Sequence, residues 1–90
     1  MISSYFIRQG ENILFSDPGK FNQYEFDYPT GVFKTEDYEV GMRTLATKGF
    51  CEIKGEGCLV RILKENGIIK INFSQDSKSY LISEPEKILN

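Results

Sequence analysis

The sequence predicts an α+β fold, a mostly antiparallel, curved β-sheet of about six or seven short strands packed on one central α-helix over about residues 36–48. Three observations predict it. Apolar and polar residues alternate through Phe21–Tyr28, Cys58–Leu63 and Ile68–Phe73, the period of half-buried strands. Turn signals break these runs at short spacing, as in an antiparallel meander. A single stretch carries helical periodicity with signals at both ends. Two strand groups separated by that helix would also fit as two small packed sheets, and the pattern does not choose between one curved sheet and two.

Ile2–Ile7 reads as a first strand, turned at Gln9-Gly10-Glu11 into Asn12–Phe15 to form a hairpin. Ser16-Asp17-Pro18-Gly19 is a turn, with proline presetting φ and glycine free to take a positive one. Phe21–Tyr28 then alternates as a third strand, with Tyr24, Phe26 and Tyr28 on one face and Gln23, Glu25 and Asp27 on the other. Pro29-Thr30-Gly31 ends it, and Val32–Lys34 reads as an extended connection.

In the helix, Thr35 is placed as N-cap, Glu36 and Asp37 put negative charge on the first turn, and Lys48-Gly49 closes the last turn. Tyr38, Met42 and Leu45 form its apolar stripe, with Ala46 beside them and Phe50 expected to contact Leu45. Gly41 costs about 1 kcal/mol relative to alanine, so the helix depends on packing and gains close approach of a neighbour at that point. Phe50–Lys54, Cys58–Leu63, Ile68–Phe73 and Ser79–Ile82 complete the strands, with Glu84–Asn90 as a helical or frayed tail. Asn66-Gly67 is the strongest local signal, because a type I′ turn needs positive φ at both central residues.

The chain has 90 residues, 40% hydrophobic, with a net charge of −2, and reads as one domain over residues 1–90. It contains no histidine, which removes the usual general base near neutral pH and the commonest zinc ligand. No stretch approaches the roughly 20 apolar residues of a membrane span, and MISSYFIRQGENILF lacks the basic start and apolar run of a secretion signal. The expected location is cytoplasmic, with Cys51 and Cys58 as free thiols. Charge is asymmetric: residues 1–42 carry seven acids and three bases (−4), residues 43–82 seven bases and four acids (+3), and the tail −1.

Catalytic patterns are weak. Glu52-Ile53-Lys54 has the E-x-K spacing of one class of magnesium nuclease, with Asp27 or Asp37 as the upstream ligand, but the same residues also make an ordinary solvated pair on a strand face. Gly55-Glu56-Gly57-Cys58 offers a thiol without a base to ionise it. A two-residue Gly55-Glu56 turn would pair residue 53 with 58 and 51 with 60, keeping the two cysteines from facing each other. Asp17-Pro18-Gly19-Lys20 lacks the second glycine and the Ser/Thr of a phosphate loop. No cofactor and no metal site is expected, and the chain reads as non-enzymatic.

The feature that remains is the run Phe21–Glu39, six aromatic rings interleaved with five acids and one lysine. Strand alternation assigns much of the aromatic content to the core. The acids remain as a surface that would draw in a basic partner. The expected contact set is Glu25, Asp27, Glu36, Asp37 and Glu39, with Tyr28 or Phe33 as exposed anchors. The function this points to is occlusion of another protein, as by a bacterial or phage inhibitor, immunity or anti-defence protein. The alternative is a nucleic-acid-binding regulator using Arg43, Lys48, Lys54, Arg61, Lys64 and Lys70, a weaker expectation because Glu36, Asp37 and Glu39 would repel phosphate. Unpaired sheet edges also suggest a homodimer, through an edge the sequence does not name.

Overall fold

The computed structural model describes residues 2–17 and 30–86. In chain order these form a short 3-10 helix over Ile2–Tyr5, then β1 (Phe6–Gln9), β2 (Asn12–Ser16), β3 (Thr30–Lys34), α1 (Thr35–Lys48), β4 (Phe50–Lys54), β5 (Cys58–Glu65), β6 (Ile68–Gln75) and β7 (Lys78–Pro85). All strand pairs are antiparallel, and the strands divide into two sheets, of order β1-β2-β3 and β4-β5-β6-β7. The fold is α+β as expected, but as two sheets rather than one curved sheet, because α1 separates β3 from β4. No helix among the described residues is long and apolar enough to cross a membrane.

Local chemistry accounts for the tight turns. Gln9 pairs with Asn12, leaving Gly10-Glu11 as the connection, with Gly10 at φ +64. Asn66 and Gly67 adopt φ +52 and +75, as a type I′ turn requires. Asp76-Ser77 joins β6 to β7 with Gln75 paired to Lys78, so the polar segment Ser74–Lys78, which its composition marks as a loop, is mostly strand. The last strand likewise runs on to Pro85, where a helical or frayed tail was expected.

Other expectations also change. Ile2–Tyr5 is helical and the first strand starts at Phe6. Thr30–Lys34 is a full strand paired with β2, not a connection. Ile53 pairs with Val60 and Cys51 with Ile62, a register two residues from the expected one; a shift of two keeps every side chain on its face. The Ser16-Asp17-Pro18-Gly19 turn and the Phe21–Tyr28 strand lie, apart from Ser16 and Asp17, outside the described residues.

The core sits where the two sheets and the helix meet. Phe6, Phe15 and Phe33 of the first sheet, Leu45 of α1, and Cys51, Ile53, Val60, Ile62, Ile71 and Phe73 of the second are all buried. Phe15 stacks on Phe73 across the sheets at 4.7 Å between centroids and 13° between planes, while Phe6 meets Phe15 edge-on at 5.4 Å and Tyr38 of α1 at 5.0 Å. Gly31 permits this approach: a Cβ there would lie 2.5 Å from Phe73 Cε1. Gly41 likewise lets α1 settle on β4, since its Cβ would lie 2.6 Å from Ile53 Cγ1.

The helix starts one residue earlier than expected, at Thr35, with Lys34 in extended geometry before it and no side-chain cap. Thr35 Oγ1 is buried without a hydrogen-bond partner, so its expected capping role is not fulfilled. Gly49 closes the other end in the left-handed conformation, φ +83, its N–H donating to Leu45 O at 2.9 Å. Leu45 is buried, and Tyr38 and Met42 pack against the core as the stripe predicts. Phe50 points to the outer face of the second sheet, 55% exposed.

Candidate functional site

Backbone turns first fix where the acids of α1 stand. Lys34 carries the chain from β3 into the helix, and the Thr35 N–H donates to Glu11 O at 3.1 Å, tying the helix start to the β1–β2 turn. The next residues project outward as a ridge, with Glu36, Asp37 and Glu39 all exposed. Acids on a first turn complement the helix dipole, which is their ordinary structural role. The tertiary fold adds Glu11 from the β1–β2 turn, beside the helix start, and Glu56 from the β4–β5 loop.

Clefts flank the ridge on both sides. On one side an open cleft of about 580 Å³ is lined by Arg8, Glu11, Lys34, Glu36 and Glu39. On the other, hollows of about 420 and 310 Å³ share Asp37 and Lys54, with Glu56 in the first and Glu52 in the second. Glu11, Glu36, Asp37, Glu39 and Glu56 form no ion pair with another described residue, the pairs there being Arg61–Glu52 and Lys64–Glu86. These acids are therefore available to cations of a partner, alongside Arg8, Lys34 and Lys54.

Of the expected contact residues, Glu36, Asp37 and Glu39 are brought together, while Glu25, Asp27 and Tyr28 lie outside the described residues. Phe33 is 1% exposed and belongs to the core, so it is not a surface anchor: β3 pairing places it beside Ile13, facing inward. Of the expected basic set, Lys54, Arg61 and Lys70 share the outer face of the second sheet by strand register. Arg43 and Lys48 are exposed on α1, Lys54 lies beside Asp37, and Lys70 is exposed on β6. Arg61 Nε donates to Glu52 Oε2 at 2.7 Å, and Lys64 Nζ lies 3.3 Å from Glu86.

Burial pushes the Cys51 and Cys58 thiols up, which disfavours the nucleophilic thiolate. Glu52 and Lys54 share an exposed face of β4, but Glu52 is held by Arg61. Among the described residues no three or more His, Cys, Asp or Glu side chains are grouped to hold a metal ion.

Two features were missed at the level of sequence. Tyr5 Oη donates to Glu84 Oε2 at 2.6 Å and Tyr80 Oη to Asp17, tying the N-terminal segment and the end of β2 to the last strand. Burial, reinforced by the hydrogen bond to Glu84, drives the Tyr5 phenol far above its ordinary pKa. The outer face of the second sheet carries Phe50, Leu63, Ile68 and Leu81, all exposed. Strand alternation was its only signal, and for Leu81 the run was too short to assign a face. No protein-family model, curated protein or solved structure matches this chain.

Proposed function

We propose that the chain is a small non-enzymatic protein-binding module that occludes a partner through the acidic ridge at the start of α1, in the manner of an inhibitor, immunity or anti-defence protein. The observation that carries this reading is the set of exposed acids, Glu36, Asp37, Glu39, Glu11 and Glu56, drawn from a helix and two separate loops and unpaired with any described residue. A ridge between two clefts suits insertion into a basic groove, with the clefts receiving the groove's walls. Electrostatic complementarity of this kind speeds encounter and disfavours wrong partners more than it raises raw affinity.

Charge reversal tests it. Asp37→Lys combined with Glu36→Lys should keep the fold while lowering the melting temperature by several degrees, because each exposed acid of the first turn gives up about 0.3–1 kcal/mol with the helix dipole. It should slow association with the partner by roughly tenfold or more at low salt, a difference that shrinks as added salt screens the surface. Unchanged association would remove the ridge as the contact surface.

A further inference from the structure

The second sheet ends in a strand built to pair with a copy of itself. β7 is an edge, paired on one side with β6 through eight consecutive residue pairs from Gln75↔Lys78 to Ile68↔Pro85, without a bulge. It is the longest edge strand described, since β1 has four residues and β3 and β4 five each. Edges of this length are normally blunted by bulges, charges or shortness. β7 is neither short nor bulged; its charges, Lys78 and Glu84, and its proline, Pro85, stand toward its ends, and its middle carries Leu81, 63% exposed.

Hairpin geometry says which backbone groups face outward. Across the two-residue Asp76-Ser77 turn, Gln75 and Lys78 form a hydrogen-bonded pair, so Lys78, Tyr80, Ile82 and Glu84 bond inward to β6. The N–H and C=O groups of Ser79, Leu81 and Ser83 then point to the free edge. Pro85, which has no N–H, falls on that same free side, the position in a sheet where proline is tolerated.

We propose that the chain forms a symmetric homodimer by antiparallel pairing of β7 with the partner's β7, joining the two four-stranded sheets into one, with Leu81 on the two-fold axis. In this register Leu81 pairs with the partner's Leu81 and Ser79 with the partner's Ser83, so every outward donor meets an outward acceptor. A shift of two residues either way loses this match: one direction sets Ser79 opposite the partner's Pro85, the other carries Ser83 into the partner's turn. Side chains agree with the same register. Lys78 comes opposite the partner's Glu84, an opposite-charge cross-strand pair. Tyr80 comes opposite the partner's Ile82, and the two Leu81 side chains cover each other on the outer face. A two-fold interface requires such self-complementarity. It uses none of the ridge acids, so it stands or falls separately from the proposed function.

The test is sedimentation equilibrium of the full chain over a concentration series reaching about 1 mM, where even a weak dimer of millimolar Kd is populated. The expected result is a species of twice the 10.3 kDa chain mass. Leu81→Lys and, independently, Ser83→Pro should each weaken dimerisation at least tenfold while keeping the far-ultraviolet circular dichroism of the fold. Phe50→Lys, on the same outer face but across the sheet, should leave it unchanged. A chain that stays monomeric throughout overturns the proposal. So does a dimer that survives either β7 substitution, or one that is lost with Phe50→Lys.

Discussion

Gly41→Ala should destabilise this protein, against the ordinary expectation for an exposed helix. Replacing a mid-helix glycine by alanine gains about 1 kcal/mol in helix propensity. Here the new Cβ would lie 2.6 Å from Ile53 Cγ1 and 2.8 Å from Cδ1. Carbon atoms pack best at roughly 3.5–4.0 Å, so the overlap is large. Ile53 is 1% exposed and has little room to retreat. Overpacking of this kind costs about 1–3 kcal/mol, and so close an approach belongs near the upper end. The net loss is then about 1–2 kcal/mol, a fall of roughly 5–10 °C in Tm for a chain of this size. Urea unfolding of a double-mutant cycle with Ile53→Ala isolates the cause. Ile53→Ala alone should cost about 2–5 kcal/mol. In its background Gly41→Ala should change sign and stabilise by about 1 kcal/mol. Stabilisation by Gly41→Ala in the native background, or no coupling between the two sites, would refute the packing of α1 on β4.

Three further outcomes follow from the same core and its polar ties. Phe73→Ala, which removes the ring stacked on Phe15 and resting over Gly31, should cost about 3–5 kcal/mol by urea unfolding. Tyr5→Phe deletes the hydroxyl bonded to the Glu84 carboxylate and should cost about 1–3 kcal/mol without changing the far-ultraviolet spectrum. Stability should fall on the alkaline side. Burial raises Cys51 and Cys58 above their ordinary 9.0 and Tyr5 and Tyr38 above 10.0, so the folded chain holds these protons more tightly than the unfolded one. The contribution is whole below about pH 9 and is lost as pH rises further, which melts at pH 8, 10 and 11 would show.

Where backbone sterics alone decide, the sequence was readable. Asn66-Gly67 gave the β5–β6 turn, because few residue pairs tolerate positive φ at both positions. Gly49 gave the helix end for the same reason, and alternation placed Val60, Ile62, Ile69, Ile71 and Phe73 inward. What was missed depended on distant partners. Gly31 looks like a strand breaker until the Phe73 ring is seen to occupy the space of its side chain. Gly55 in the β4–β5 loop lies against β3, where a Cβ would strike Val32 O at 2.4 Å, a contact that local turn chemistry does not reveal. The candidate site divides the same way. Helical position predicts exposure of Glu36, Asp37 and Glu39. Only the hydrogen bond from Thr35 to Glu11, and the placing of Glu56 in the cleft beside Asp37, bring the loop acids to the ridge.

The most direct test of the ridge as a protein-binding surface is affinity capture from lysate of the source cell, using the tagged chain and its Glu36→Lys, Asp37→Lys variant side by side. Captured proteins are quantified by mass spectrometry after nuclease treatment. The account predicts one protein recovered in stoichiometric amount by the native chain, resistant to nuclease and depleted at least tenfold with the variant. Equal recovery by both proteins, or recovery abolished by nuclease, would contradict it.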